Sequence, residues 1–197
     1  MSFRYFIIHK PHGMLSQFTP EAKYKTLKEL FDFPKDVYPV GRLDTDSEGL
    51  LIITNDKKLN NLLLLPSHGH WRTYHAQVEG IISEPALQML REGVGISVES
   101  KPHHSKPAKV SALSNAEHEP RIPPVRYRKS IPDSWVEISL TEGKNRQVRR
   151  MLAAVGFPVL RLIRIAIENL SLDGLKTGEV REETREAIYR KLKITGY

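Results

Sequence analysis

Residues 41–56, GRLDTDSEGLLIITND, join two unlike halves. Asp44, Asp46 and Glu48 alternate through the first half, and an unbroken apolar run, residues 50–53, occupies the second. An apolar run of this length bounded by polar residues predicts a buried strand. Asp56 then stands as an N-cap ahead of Leu59, Leu62 and Leu63, which are spaced for one face of a helix. Acidic loop, buried strand and capped helix form the unit from which the fold is read. The acids also pose a chemical question, because the chain around them is basic: 30 Lys and Arg oppose 23 Asp and Glu, a formal charge of +7.

Three uses of the carboxylates compete. A calcium loop needs oxygens at alternating positions, a glycine at the sixth and a bidentate glutamate at the twelfth. Asp44, Asp46, Glu48 and Gly49 satisfy the first half, but the twelfth position is Asn55 and a strand occupies the second half, so no metal is expected. Turn chemistry accounts for Asp46 and Ser47, whose side chains readily bond nearby backbone. Paired acids also suit attack at a sugar anomeric carbon, although closeness in sequence does not establish facing geometry.

Outward from this unit, residues 4–10 (RYFIIHK) predict a strand stopped by Pro11 and Gly13. Thr26 and Glu29 suit a capping box for a short helix over residues 26–31. Strands are predicted over residues 74–78, 135–140 and 159–167, and helices over 84–92, 145–155 and 182–192. Residues 100–107 and 117–132 read as loops. Strands and helices mingle without a regular βαβ rhythm, so the expected class is α+β. The length suits one domain, or two small subdomains sharing a core. No apolar run spans a bilayer and no secretion signal is visible, so a cytoplasmic protein without membrane contact is expected. With no cysteine in the chain, thiol nucleophiles, disulfides and thiolate metal sites are excluded. His68, His70 and His75 have no ligand spacing and no neighbouring carboxylate in sequence, which favours a surface or RNA-facing role over zinc. No P-loop, GxSxG elbow or GxGxxG fingerprint occurs, so no cofactor is expected.

Two basic segments remain. In EGKNRQVRRMLAAVG, residues 142–156, Val148, Met151, Leu152 and Val155 make a buried helical stripe, with Arg146, Arg149 and Arg150 on another face. Lys144 and Asn145 lie at the helix entrance, where free N–H groups attract anions. Like charges one turn apart repel, so a partner that supplies negative charge removes a cost. RNA phosphate or a buried carboxylate would serve. The second segment, EPRIPPVRYRKSIP, carries Arg121, Arg126, Arg128 and Lys129 around Tyr127. Its prolines exclude a regular ladder, and it suits either phosphate contact with base stacking or simple solubility.

Taken together, KPHGMLS (residues 10–16), GRLDTDSEGLLIITND and EGKNRQVRRM resemble the pseudouridine synthases of the small-subunit ribosomal type. PPVRYRKSIPDSW and GFPVLRLIRIA are more narrowly similar to the large-subunit ribosomal group E of these enzymes. The resemblance implies one catalytic domain over residues 1–197, with a mostly antiparallel mixed sheet in two subdomains, flanking helices and loops, and an active-site cleft between the subdomains. Many relatives carry an N-terminal S4 RNA-binding domain; this sequence starts at the catalytic strand, so none is expected. The resemblance further implies that Asp44 is the catalytic aspartate, Tyr74 the tyrosine that stacks on the target uracil, Arg149 the aspartate's basic partner and Leu162 an apolar pocket residue. Arg42, two before the aspartate, would enter the space left by the displaced base. Lys10, Lys144, Asn145, Arg146, Arg150, Arg126 and Arg128 are the expected RNA contacts, large-subunit ribosomal RNA the expected partner, and a monomer the expected state. Relatives commonly carry glycine where this chain has Glu168, so a positive φ there would strain the glutamate.

Uridine becomes pseudouridine without redox change, group loss or energy input, in keeping with a chain that lacks nucleotide-binding, metal and thiol motifs. A dry pocket favours the neutral form of a carboxylic acid, and an arginine partner opposes that. A non-catalytic RNA-binding or ribosome-assembly protein is the competing class. It explains the cations but gives no reason to place acids beside them.

Overall fold

The structure, a computed structural model, describes residues 2–21, 23–126 and 130–195. Arg128, with Tyr127 and Lys129, lies outside the described residues. In chain order the first elements are β1 (Tyr5–Lys10), β2 (Met14–Leu15), β3 (Lys25–Thr26), β4 (Tyr38–Pro39), β5 (Glu48–Thr54) and α1 (Lys57–Leu64). Next come β6 (Arg72–Glu79), α2 (Glu84–Glu92), β7 (Gly95–Val98), β8 (Lys101–His104), β9 (Lys109–Leu113), β10 (Asp133–Leu140) and α3 (Gln147–Ala154). The last are β11 (Val159–Ile167), β12 (Leu170–Ser171), β13 (Val180–Glu183) and α4 (Arg185–Lys191). The class is α+β, with mostly antiparallel pairing; β2 and β3 pair parallel. No helix among the described residues is long and apolar enough to cross a membrane.

Two compact units form. The first comprises residues 1–70 and 164–197, the second residues 71–163. In the first, strands are ordered β13-β1-β5-β11; in the second, β11-β6-β10-β9, so β11 gives its C-terminal part to one unit and its N-terminal part to the other.

The apolar run that opened the sequence reading becomes β5, and every residue of it is buried. Side chains alternate across a strand, and here both faces are covered. Leu50 and Ile52 join Tyr5 and Ile7 of β1 against Leu59, Leu63, Ile188 and Leu192 of the helices. Leu51 and Ile53 join Phe6 and Ile8 against Met14, Leu27, Val37 and Leu43. A strand buried on both faces needs no polar alternation, which is why the run is continuous. The second unit buries Ala76, Val78, Val136, Ile138 and Leu140 of β6 and β10 under α2 and α3.

Asp56 ties the first unit together. Its Oδ1 accepts from the Lys58 and Leu59 N–H groups at 2.9 and 3.2 Å, capping α1. Its Oδ2 accepts from the Tyr5 and Tyr189 hydroxyls at 2.8 and 2.6 Å, joining β1, α1 and α4 at a carboxylate 1% exposed. Burial pushes this carboxyl up, but the two phenols and the helix N–H groups outweigh it and hold it below the ordinary range. Burial and the same bond push the Tyr189 phenol up to about 12.

Several sequence expectations are corrected. Residues 100–107 are not all loop: β7 and β8 form a hairpin, with Val98 opposite Lys101. The two turn residues, Glu99 and Ser100, both have positive φ (50° and 64°), the geometry that usually recruits Asn-Gly, so the sequence carried no turn signal. The edge strand β9 has weak alternation and was also missed. Arg146 is left-handed (φ 52°), so α3 starts at Gln147 rather than 145. Glu182 and Glu183 pair with β1, and α4 begins after Thr184, whose hydroxyl caps it. The short helix at Thr26 is a single 3₁₀ turn, Leu27–Glu29, held by Glu29 accepting from the Thr26 N–H.

Asp56→Ala leaves two buried phenols and a helix N-terminus without their acceptor. Its unfolding free energy should fall by about 3 kcal/mol or more, read as a lower urea midpoint at unchanged slope. A loss below about 1 kcal/mol would show the junction to be idle. Because the folded carboxyl sits low, the stabilisation is present above the unfolded acid's range and is lost as pH falls through the folded value.

Candidate active site

In the first unit the turn after β1 is docked on the acidic loop. The Gly13 N–H donates to Thr45 O at 2.7 Å. The Ser16 hydroxyl donates to Leu43 O at 2.8 Å and accepts from Leu43 N–H at 3.0 Å. The Ser47 N–H closes the loop on Asp44 O at 3.0 Å. The residues on both sides of Asp44 are therefore fixed, and Asp44 itself is half-buried. KPHGMLS is thus the brace for the aspartate loop: glycine at position 13 takes φ +78°, and serine supplies the two-way clamp. The Ser47 side chain takes no part in this turn. Its hydroxyl is buried without a hydrogen-bond partner, which corrects the expectation of a side-chain turn for Ser47.

Next to this loop the chain passes close to β11. A Cβ on Gly49 would fall 2.2 Å from Arg164 O, at φ +108°, so only glycine fits. Arg164 is 5% exposed, and its Nε donates to Leu50 O at 2.8 Å. Lys10, expected to contact RNA, is corrected: it is fully buried, and its Nζ donates to Pro11 O and Met14 O at 3.0 and 2.6 Å. Arg42 is exposed.

The second unit holds the other candidates. Leu162 is 5% exposed, within the same apolar cluster as Val148, Met151 and Leu152, and half-buried Tyr74 packs against that cluster from β6. Arg149 is half-buried on α3, and its Nη1 donates to Val159 O at 3.3 Å. The α3 entrance is anchored by Glu142. Its carboxylate accepts from the Lys106 N–H at 2.8 Å, from the Gln147 amide and from His103 Nε2 at 3.2 Å. Burial pushes this carboxyl up, but those donors outweigh it and hold it low. Gln147 Oε1 in turn accepts from the Lys144 N–H at 2.9 Å. Arg150 donates to Asn145 O, Asn145 Oδ1 and Ser97 O, so these two residues shape the turn they were expected to present to RNA. Lys144, Arg146 and Arg126 are exposed.

The RNA pseudouridylate synthase family model matches residues 4–154. The chain belongs to this family. Ribosomal large subunit pseudouridine synthase E of Xanthomonas axonopodis pv. citri is 49% identical over 172 residues, covering 86% of this chain and 88% of the relative. Ribosomal large subunit pseudouridine synthase B of Bacillus subtilis is 36% identical, covering 94% and 70%. Among solved structures, a pseudouridylate synthase superposes with TM-score 0.77 at 27% identity, covering 96% of this chain and 74% of the other. A pseudouridine synthase is an isomerase: the N1–C1′ bond of uridine breaks and a C5–C1′ bond forms.

For this synthase the sequence reading missed Ser16, Glu142 and Gln147. Their signal was present but local: a serine closing KPHGMLS, and a glutamate five residues before a glutamine at a helix entrance. Two of the histidines find carboxylates that their own stretch of sequence lacks. His70 lies 3.7 Å from Glu168, and His75 bonds Glu137 at 3.2 Å and His118 at 2.8 Å. Both carboxylates are remote in sequence, so no local pattern announces them. Glu168 does take a positive φ, 49°, and its carboxylate pairs with Lys193 at 3.0 Å.

Ser16→Ala removes both bonds to Leu43. Stability should fall by about 1–3 kcal/mol, with a lower kcat, measured by denaturation and by single-turnover assay. Unchanged values in both would show that the clamp does not brace the loop.

Proposed function

We propose that this synthase converts one uridine of large-subunit ribosomal RNA to pseudouridine, with Asp44 as the reacting carboxylate. The observation that carries the assignment is the bracing of Asp44. It is the half-buried acid whose two neighbours are each clamped by the turn after β1. The substrate class is supported by relatives named for large-subunit ribosomal RNA at 44–49% identity. Such work belongs in the cytoplasm, on a monomer with one catalytic domain.

The target base must leave its stack, which costs a few kcal/mol. Exposed Arg42, Lys144, Arg146 and Arg126 offset this through phosphate contacts, assisted by the half-buried Arg150 and its partner Asn145. Arg42 fills the gap, Tyr74 stacks on the extruded uracil, and Leu162 keeps that side of the site apolar. Arg149 supplies the guanidinium that an ionised carboxylate needs in a poorly hydrated site. Asp44 then acts at C1′ as N1–C1′ breaks; the uracil turns, C5 joins C1′, C5 gives up its proton and N1 takes one up, so that the product is an isomer of uridine.

Asp44→Asn should lower turnover at least about a hundredfold while RNA affinity stays within about threefold. The readout is carbodiimide-dependent reverse-transcription stops on unmodified ribosomal RNA. Full activity of the purified variant would overturn the assignment. Arg149→Met should lose far more activity than Lys35→Met, an exposed control. Equal losses would remove Arg149 from the proposed chemistry.

A further inference from the structure

We propose that His118 is a positioning residue for RNA recognition: paired with His75, it clasps the segment that leads to Arg126 onto the outer face of the second unit's sheet, and the clasp opens when both imidazoles carry charge. This rests on the reading of Arg126 as an RNA contact.

Side chains alternate across a strand, so β6 and β10 each present two sets. Ala76, Val78, Val136 and Ile138 face the apolar cluster. His75 and Glu137, opposite each other in the register, belong to the other face, as do Gln77 and Trp135. The segment after β9 docks here. His118 Nε2 lies 2.8 Å from His75 Nδ1, and its ring sits 5.1 Å from the Trp135 ring. The next residue is tied as well: Glu119 O accepts from Nη1 of the buried Arg161 at 2.9 Å. Arg121 then donates to Pro123 O and Pro124 O at 2.8 and 3.0 Å, and exposed Arg126 follows.

Residues 114–126 form neither strand nor helix. A stretch without its own ladder loses conformational entropy when a partner orders it. Two consecutive ties to the sheet meet part of that cost before RNA arrives, so the clasp acts on binding and not on the chemical step.

A bond between two ring nitrogens needs an N–H on one and a lone pair on the other. The second nitrogen of His75, Nε2, faces Glu137 Oε2 at 3.2 Å, which favours a proton there. With His75 neutral, its Nδ1 accepts from His118. A first added proton makes His75 a donor to both Glu137 and His118, so the bond survives with its roles reversed. A second proton leaves no lone pair in either ring, and two cations then face each other across the contact. Glu137 balances one of them. Around the pair, Arg161 adds positive charge from β11, and Glu117 and Glu119 flank His118 on its own segment. Lys109 of β9 is held over the Trp71 ring at 4.2 Å, and Asp133 of β10 accepts from Gln77 at 3.0 Å. The open segment holds two protons and the clasped one at most one, so the clasp is lost as pH falls.

The test compares wild type, His118→Ala, His118→Gln and Arg126→Met at about pH 8 and about pH 5.5, the span over which histidines change charge. kcat and KM are measured on an unmodified ribosomal RNA fragment, and imidazole ¹⁵N resonances follow the protons. The glutamine amide can bond His75 in either of its states and takes up no proton itself. At the higher pH, His118→Ala should raise KM at least about fivefold with kcat within about twofold, and His118→Gln should stay within about twofold of wild type. At the lower pH, wild-type KM should exceed that of His118→Gln by about threefold or more. The two imidazoles should titrate in two separate steps, and His75 in one step in His118→Gln. If Arg126→Met raises KM and His118→Ala does not, the clasp positions nothing and the RNA contact stands. If neither raises it, the reading of Arg126 and the proposal fall together. A His118→Ala that lowers kcat at unchanged KM overturns the proposal in favour of a purely structural role. Should His118→Ala fail to fold, equal KM for wild type and His118→Gln at both pH values overturns it.

Discussion

The docking of residues 11–16 onto residues 43–47 is the constraint on which the rest depends. Gly13 holds Thr45 and Ser16 holds both polar groups of Leu43, so Asp44 has little freedom to wander. A reacting carboxylate gains from being fixed before substrate arrives, because the ordering cost is then met during folding rather than at each turnover. Behind the brace, β1 and β5 are buried on both faces and give the loop a rigid base.

Three charges, two buried and one half-buried, show how differently this fold uses ionised groups. Asp56 gathers two phenols and two helix N–H groups around one carboxylate and acts as a structural junction. Glu142 gathers a backbone N–H, an amide and an imidazole, and so fixes the approach to the arginine helix. Both are held ionised because hydrogen bonds outweigh burial. Lys10 is the opposite case. It donates to the neutral carbonyls of Pro11 and Met14, burial dominates, and its charge is held less firmly than an exposed lysine's. A charge tolerated rather than favoured, next to the braced aspartate, is what separates it from the structural pair.

Glu168 shows the cost of a local exception. Its backbone takes the left-handed conformation that glycine accepts freely, and its side chain gains Lys193 and His70 in return. These contacts offset part of the backbone strain. The strand β11 ends just before it, so the exception lies in a tight connection to β12 and not in the core.

The sequence by itself determined the buried strand at β5, the capped helix after Asp56, the stripe of α3 and the family to which the chain belongs. Each is written in a short run of neighbours: an apolar block, an N-cap, a spacing of three and four, a motif. Tertiary structure alone decided what joins residues far apart. It buried Lys10 between β1 and the acidic loop, gave Ser16 to Leu43, brought Glu137 to His75, and closed a hairpin on Glu99 and Ser100 that no glycine announced. The physical reason is that periodicity reports which face of an element is buried, whereas the partner of a polar group depends on which other strand the sheet sets beside it.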